Sequence, residues 1–524
     1  MTSIKACAVF LLLFALGACK VGPNYQRPPL DVPGDYRGVA PEAAPAHTAA
    51  PSPLETVPPG TVQPPNASTA PEQQPAQGAV PSPAPQTATP PTEPSQPQAA
   101  TPPQAAAGSP AQPFGDMQWT AVFQDEVLQG LIKEALANNY DIRVAATRIL
   151  QADANLGIVR ANQLPTLDGF ASETYERNIQ LPSAPTYGTL GLNFSYIVDF
   201  WGQYRRATES ARATLLSTVF AKEVVQITLI DSVAATYYAM LQYDDQLEYS
   251  KKTVEADTEL LKLNEIKFHG GDAALTDVYQ AQVLLQQAEA GTITYQQLAE
   301  QTENNLSILL GRNPGPIKRG LDLASQPHPP EIPAGLPSDL LRRRPDVREA
   351  EENLVAANAN VGVAKAAFFP QFPITATFGS MSTALNQFVA GPGTFWAIAG
   401  SAVQPIYEGG RIRSGYRLAW AQRDQAELQY KQTVQQAFDD VSNSLIGYEQ
   451  ARKYRMKIQE QTDTYANLVR LSNVRYQGGY TAFLEVQYNE QQYFQSALLL
   501  SQAWYQELQY YAALYQALGG GWQP

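Results

Sequence analysis

Histidine and cysteine, which serve most often as catalytic bases, nucleophiles and transition-metal ligands, are few in this 524-residue chain: it has three histidines and two cysteines. His47 and His328 lie in proline-rich stretches, and His269 stands alone beside a pair of glycines. Both cysteines, Cys7 and Cys19, lie at the extreme N-terminus. Acid–base catalysis and metal binding each need several such groups side by side. The pattern therefore argues against an enzyme, a cofactor and a metal site.

Cys19 is the residue with the most definite chemistry. It follows one lysine, an apolar run too short to span a bilayer, and the small residues of "LGAC". Residues 1–18 are therefore predicted to be an export signal. "LGAC" resembles a bacterial lipobox, in which the cysteine thiol receives a diacylglycerol; an ordinary signal peptide ending beside a cysteine is the alternative. By the same resemblance, Lys20, at the position where retained lipoproteins have Asp, indicates the outer membrane.

The composition separates a spacer from the rest of the chain. The net charge of -13 argues against nucleic acid as a partner. Residues 39–115 are rich in Pro, Ala, Gln, Thr and Ser, and no Lys or Arg occurs between Arg37 and Lys133. Such a stretch buries too little apolar surface to offset its ordering entropy, so it is predicted to be a disordered spacer. Residues 19–38 before it form a predicted N-terminal arm.

The remainder of the chain contains two similar halves. "NNYDIRVAATRILQADANLGIVRANQLP", at 138–165, matches "RRPDVREAEENLVAANANVGVAKAAFFP", at 343–370. A solenoid needs more than two copies, so we expect two quasi-equivalent halves about one axis. The predicted units are a first repeat at 116–312, a linker at 313–337 and a second repeat at 338–520.

Each half is expected to contain two strands, within 165–200 and within 371–407. In the first half, apolar residues alternate with small or polar ones: Leu190, Leu192, Phe194, Tyr196 and Val198. A period of two predicts a strand, and a small or polar opposite face is typical of a barrel lumen. A soluble sheet with one buried face would give the same alternation.

A helix of unusual length follows the strands in each half. No proline interrupts about Gln203–Phe268 or about Ile412–Tyr476, and each stretch predicts a rod on the order of 100 Å. In the first rod, apolar residues at steps of three and four predict a packing seam: Leu216, Phe220, Val224, Ile227, Ile230, Ala234, Tyr237 and Leu241.

A glycine pair ends each rod, and a second helix returns from it. The pairs are Gly270-Gly271 and Gly478-Gly479, and the returning helices are predicted at about Leu275–Leu310 and Phe483–Leu518. Glycine just past a helix end accepts the left-handed conformation that reverses the chain. The glycine pairs are therefore predicted to be the turns of two very long helical hairpins.

Four strands in an exported chain constrain the architecture. Strands in a bilayer must form a closed barrel, because unpaired edge groups are too costly in lipid. Spanning barrels start at about eight strands, so several chains would have to contribute, and three would supply twelve strands. The predicted fold class is mainly α with transmembrane β, in which the long helices continue the barrel as a tube.

Three motifs resemble a known family. They are "CKVGPNYQRP" at 19–28, "LLRRRPDVREAEENLVAANANVGVAKAAFFPQF" at 340–372 and "PIYEGGRI" at 405–412. The chain resembles the TolC-like outer membrane factors, in the lipoprotein branch that serves tripartite RND drug-efflux pumps. The resemblance implies a homotrimer with a twelve-stranded β-barrel in the outer membrane and a periplasmic α-barrel. It also implies an adaptor protein and an inner-membrane pump as partners, without catalysis or a cofactor beyond the lipid on Cys19.

The resemblance also assigns roles to the hairpin turns. Gly270, Gly271, Gly478 and Gly479 correspond to the periplasmic tips where adaptor hairpins dock, although each glycine could serve only its turn. Many relatives carry "LEVLDAQR" after the second tip, with a leucine and an aspartate forming constriction rings. Here Leu484 matches the leucine, while Tyr488 replaces the aspartate.

We hypothesise a gate closed by packing of Leu484 and Tyr488 rather than by charge. The alternative is that Tyr488 is packed between helices. Two other functions remain open at this point: an outer membrane duct for type I protein secretion, and a structural periplasmic lipoprotein without a pore. The lipobox and the N-terminal motif favour the drug-efflux branch.

Overall fold

One order of elements occurs twice in the computed structural model, which describes residues 20–30, 32–33, 36, 114–175, 186–328, 337–383 and 393–521. Each half has one or more shorter helices, two strands, a very long helix and a returning helix. The predicted signal peptide, Cys19 and nearly all of the predicted spacer lie outside the described residues.

A short helix, α1 (Trp119–Val122), precedes the first half. The first half comprises α2 (Glu126–Asn138), α3 (Tyr140–Ala161), β1 (Thr166–Tyr175), β2 (Thr186–Val198), α4 (Gln203–Gly270) and α5 (Leu275–Leu309). The second comprises α6 (Pro337–Arg343), α7 (Pro345–Ala366), β3 (Phe372–Ser382), β4 (Thr394–Gly400), α8 (Arg411–Gln477) and α9 (Phe483–Ala517).

The long helices begin and end at glycines. Helix α4 has 68 residues and α8 has 67, which corresponds to about 100 Å each. Gly202 (φ 76°) and Gly410 (φ 87°) cap their N-termini in the left-handed conformation, where a side chain would be strained. The predicted rods are confirmed to within two residues at every end, and α5 and α9 return along them as predicted.

The predicted seam of α4 is confirmed from Ile227 onward, where its members are buried: Ile227, Ile230, Ala234, Tyr237 and Leu241. The prediction is wrong for Leu216, which is 40% exposed. At that level the buried face runs instead through Ser210, Ala213 and Ser217. These small residues let α7, which packs on α4, approach closely.

The hydrophobic core lies where the two halves meet, at the middle of the long helices. Buried side chains of α2, α4, α8 and α9 form it together with Tyr36, which precedes the predicted spacer, and Phe114, which lies at the spacer's predicted C-terminal end. Phe114 packs against Tyr511 and Tyr515 of α9 at ring-centroid distances of 5.3 and 5.5 Å. The prediction of disorder is therefore wrong for Phe114 and Gly115, because the Phe114 ring is buried in the core.

The four strands form one antiparallel sheet in the order β1-β2-β3-β4. The register places apolar side chains on one face, including the exposed residues Leu167, Leu192, Phe378, Trp396 and Ile398. Polar side chains such as Asn193 and Thr377, which are hydrogen-bonded at 3.1 Å, alternate with them. The predicted alternation in β2 is confirmed. Within the described residues, the outer edges of β1 and β4 have no partner strand.

Candidate functional site at the hairpin tips

The first tip shows two glycines with different structural needs. Gly271 follows α4 with φ 82°, and its N–H donates to the Phe268 carbonyl at 3.1 Å. A side chain there would be strained by the backbone conformation alone. Gly270 is the last helical residue, and the nearest atom to a Cβ added there is 3.7 Å away. Neither conformation nor packing therefore requires glycine at 270.

The second tip repeats this arrangement with a small difference. Gly479 has φ 75°, whereas Gly478 is right-handed at φ -79°. A Cβ on Gly478 would meet the Tyr480 ring at 2.8 Å, and that side chain is 81% exposed and free to move. All four tip glycines are exposed. Only Gly271 and Gly479 are required by the backbone.

Leu484 and Tyr488 lie together on an exposed face of α9, one turn apart. Leu484 is 65% exposed and Tyr488 is 59% exposed. The opposite face of the helix is buried through Phe483 and Val486, which pack into a small cluster with Tyr476 of α8. Tyr488 is therefore not packed between the helices of this chain.

The two hairpins are joined to one another close to the tips. The Tyr476 hydroxyl donates to Asn264 Oδ1 of α4 at 3.3 Å, and Lys267 Nζ of α4 lies 3.5 Å from the centroid of the Tyr476 ring. These contacts connect the first hairpin to the second. Movement of one tip relative to the other would have to break them.

The N-terminal arm runs along α4 and α7. The Val21 N–H donates to the Trp201 carbonyl at 3.1 Å. Arg206 of α4 is 2% exposed, and it donates to Asn24 Oδ1 at 2.7 Å. Further along, Arg27 binds Glu351 of α7 at 2.5 Å. Lys20, the residue after Cys19, thus lies where the sheet joins the long helix, next to Gly202.

Aromatic rings gather at this same junction. Trp201 stacks on Phe369 at 4.7 Å and donates its indole N–H to the Pro370 carbonyl at 2.7 Å. Phe200 packs edge-on against Phe372 at 5.0 Å. Aromatic residues are also enriched at the membrane–water boundary of β-barrels.

His328 has partners in the structure that the sequence did not indicate. Its Nε2 lies 3.2 Å from Glu507 Oε1, and its ring packs edge-on against Trp504. The Glu507 carboxylate raises the pKa of His328 above 6.5. Glu507 is fully buried and also binds Arg455. Burial would raise the pKa of Glu507, but the bonds from His328 and Arg455 outweigh it and lower that pKa. This cluster joins α9 to α8 and to the segment after the first half.

Asp125 is a second group that the sequence did not single out. It is 2% exposed, caps α2, and accepts hydrogen bonds from Tyr237 of α4 and from Gln326. An N-cap aspartate is recognisable from sequence, but its long-range donors lie 112 and 201 residues away.

Long helical hairpins, an open sheet with an apolar face and an aromatic junction define the class of outer membrane channels built from both helices and strands. The chain belongs to the outer membrane efflux protein family, whose model matches residues 131–312 and 336–520. The predicted resemblance is confirmed at the level of this family.

Two relatives and one solved structure illustrate the similarity. The solvent efflux pump outer membrane protein SrpC of Pseudomonas putida is 34% identical over 410 residues, covering 76% of this chain and 86% of the relative. The cation efflux system protein CusC of Escherichia coli O6:H1 is 30% identical over 415 residues, covering 79% and 90%. The open state of the Neisseria gonorrhoeae MtrE outer membrane channel has a TM-score of 0.71 at 29% identity, covering 80% and 95%. The chain is thus an outer membrane efflux protein.

Proposed function

We propose that three copies of this chain form the outer membrane duct of a tripartite efflux pump. The duct passes small molecules to the exterior without catalysis, and an inner-membrane RND pump drives transport through an adaptor protein. Cys19 carries a lipid that anchors each copy to the outer membrane. The position of Lys20 beside the aromatic junction supports this anchor, because Lys20 directly follows Cys19 in the sequence.

The open sheet is the observation that carries the proposal. Its apolar face presents Leu192, Phe378 and Trp396 to the surroundings, as a lipid-facing surface would. Its two edges are unpaired within the described part of the chain. Unpaired backbone groups in lipid cost several kcal/mol each, so neighbouring copies must pair with both edges. Three four-stranded sheets give the twelve strands of a closed barrel.

The tips supply the docking surface for the adaptor. Gly270 is exposed, and its conformation and packing would accept a larger residue. Close approach of a partner's backbone would account for glycine at this position. Gly271, Gly478 and Gly479 complete the proposed docking surface.

Leu484 and Tyr488 form the proposed gate. Both side chains are exposed in the single chain and lie on one face of α9, as side chains converging on a tunnel axis must. With tyrosine where many relatives have aspartate, the barrier arises from packing of apolar and aromatic groups around the axis. Such a gate excludes ions by its narrow, weakly hydrated opening rather than by charge.

Single-channel recording in planar bilayers tests the channel and its gate together. Replacing Leu484 and Tyr488 with alanine should raise the conductance, because the constricting side chains are removed. The first hairpin offers a matched control: Leu275 and Tyr279 are also exposed, at 45% and 59%, and lie one turn apart at the start of α5. Their replacement by alanine should leave the conductance unchanged. Equal conductance in the wild type and both variants would exclude this gate, and absence of any conductance would favour the structural lipoprotein.

The cargo is tested in cells. The names of SrpC and CusC refer to solvents and to cations, so family membership alone does not fix what passes. Deletion of the chromosomal gene should increase susceptibility to drugs or solvents. Loss of a secreted protein without any change in susceptibility would instead support a type I secretion duct.

A further inference from the structure

A cavity of about 260 Å³ lies inside the helical wall, between the two hairpins. Residues of α4, α5 and α9 line it, and they lie about two to five helical turns from the tips, or about 10–25 Å along the axis. Two acidic side chains face this space, Asp257 from α4 and Glu490 from α9. One carboxylate therefore comes from each hairpin.

Neither acid is fully neutralised by its surroundings. Asp257 is 5% exposed, and no hydrogen bond reaches its carboxylate from any residue that the structure describes. Glu490 accepts a hydrogen bond from Asn473 Nδ2 at 3.1 Å, but its Oε2 is buried without a partner. Because Asp257 is buried within its own chain, a neighbouring copy in an assembly would not reach it.

The lysines nearest along α4 do not compensate this charge. Lys252 is 64% exposed and pairs with Glu248, and Lys262 is 59% exposed and pairs with Glu259. The described lining of the cavity contains no lysine or arginine. A buried carboxylate without a partner is strongly unfavourable, so it must either take up a proton or bind a cation.

Burial, and after it the negative charge of Glu490, raises the pKa of Asp257 to about 7. Burial also raises the pKa of Glu490, although the hydrogen bond from Asn473 opposes the change. Proton and cation therefore compete for this pair near neutral pH. A divalent cation satisfies both carboxylates at once, whereas one proton satisfies only one.

The donor atoms around the cavity select the kind of cation. Besides the two carboxylates, the polar lining groups are the Thr253 hydroxyl and the side-chain amides of Gln287, Gln491 and Gln495. These are hard oxygen donors, which suit Ca²⁺ and Mg²⁺ better than thiophilic metals. The volume exceeds that of a bare ion and leaves room for the water ligands that both ions retain.

We propose that Asp257 and Glu490 bind a hydrated divalent cation of the calcium and magnesium class and so tie the first hairpin to the second. The ion bridges α4 and α9 on the side of the Tyr476–Asn264 contact away from the tips. Its effect on the gate rests on the proposed function, because it would oppose separation of α9 from α4 when the tunnel opens. Binding itself does not depend on that function.

Calorimetric titration of the purified full chain with Ca²⁺, after removal of metals by a chelator, tests the site. The wild type should bind Ca²⁺, with a matching rise in its thermal unfolding midpoint. Asp257→Asn and Glu490→Gln preserve shape but remove charge, and each should lower the Ca²⁺ affinity at least tenfold. Glu289→Gln is the matched control, because Glu289 is exposed on α5 next to Ala288, which lines the cavity, and its replacement should leave Ca²⁺ binding unchanged.

Two results would overturn the proposal. One is a wild-type protein that binds no Ca²⁺ at millimolar concentration while Asp257→Asn raises the unfolding midpoint at pH 7, which would mean that the acid is held protonated. The other is Ca²⁺ binding of equal strength in the wild type and both cavity variants. The Ca²⁺ titration and the unfolding midpoint do not depend on the bilayer recordings. The cation site and the proposed channel can therefore fail separately.

Discussion

Replacing Asp125 with alanine should destabilise the protein more than most single substitutions. The carboxylate accepts five hydrogen bonds: two from the first turn of α2, one from the Tyr237 hydroxyl at 3.0 Å, one from the Leu321 N–H at 3.0 Å and one from Gln326 at 2.9 Å. It thus fastens α2 and the segment after the first half to α4. Burial would raise the pKa of Asp125, but these hydrogen bonds, with Gln326 first among them, lower it.

The expected loss follows from what the substitution leaves behind. Removal of an N-cap costs about 1 kcal/mol, and each buried donor left without an acceptor costs about 1–3 kcal/mol. Because rearrangement or water will satisfy some of these donors, we expect a total of about 3–5 kcal/mol in the free energy of unfolding. Asp125→Asn keeps one carbonyl acceptor and should lose about half as much. Asp153→Ala, at an exposed position of α3, is the control and should stay within about 0.5 kcal/mol of the wild type.

Denaturant unfolding followed by tryptophan fluorescence, at equal protein concentrations, measures these losses. The pH dependence provides a second check. Because the pKa of Asp125 is lowered in the folded protein, its stabilisation is present above its ordinary value of 3.8 and is lost as the pH falls through the folded value. The difference between wild type and Asp125→Ala should therefore shrink in acid below about pH 4. A loss below 1 kcal/mol at pH 7 would refute the network reasoning.

Two further predictions concern other parts of the chain. Because the pKa of His328 is raised in the folded protein, its ion pair with Glu507 stabilises the fold fully below pH 6.5, and this stabilisation is lost as the pH rises through the pKa of the folded state. His328→Phe should therefore lower the unfolding midpoint more at pH 6 than at pH 9. Equal losses at the two pH values would argue against the ion pair. Gly271→Ala should cost about 1 kcal/mol of local stability at the first tip, whereas Gly270→Ala should cost nothing or stabilise slightly. Hydrogen exchange at the tip measures both, and equal effects would contradict the backbone explanation.

Local signals account for what the sequence predicted well. Helix ends depend on glycine and proline within a few residues, so the bounds of the long helices came within two residues of the structure. The alternation in β2 is equally local. The predicted burial of Leu216 was wrong because the buried face of α4 at that level consists of small residues, Ser210, Ala213 and Ser217. Such residues contribute little to a hydrophobic pattern.

Long-range pairing explains what the sequence did not show. His328 and Glu507 are 179 residues apart along the chain, and the donors to Asp125 come from α4 and from the segment after the first half. Each residue is unremarkable in its own neighbourhood. Only the folded arrangement of the two halves brings the charges together, so no local pattern could have indicated them.

Comparison of the two sequence halves could not have indicated the proposed cation site either. The offset of 208 residues that aligns Gly270 with Gly478 also aligns Asp257 with Tyr465 and Gln282 with Glu490. Neither acid has an acidic counterpart in the other half, so comparison of the halves gives no hint of a paired site. The two acids meet because α4 of one half packs beside α9 of the other. The site therefore belongs to the contact between the two halves, where their relative movement would be felt.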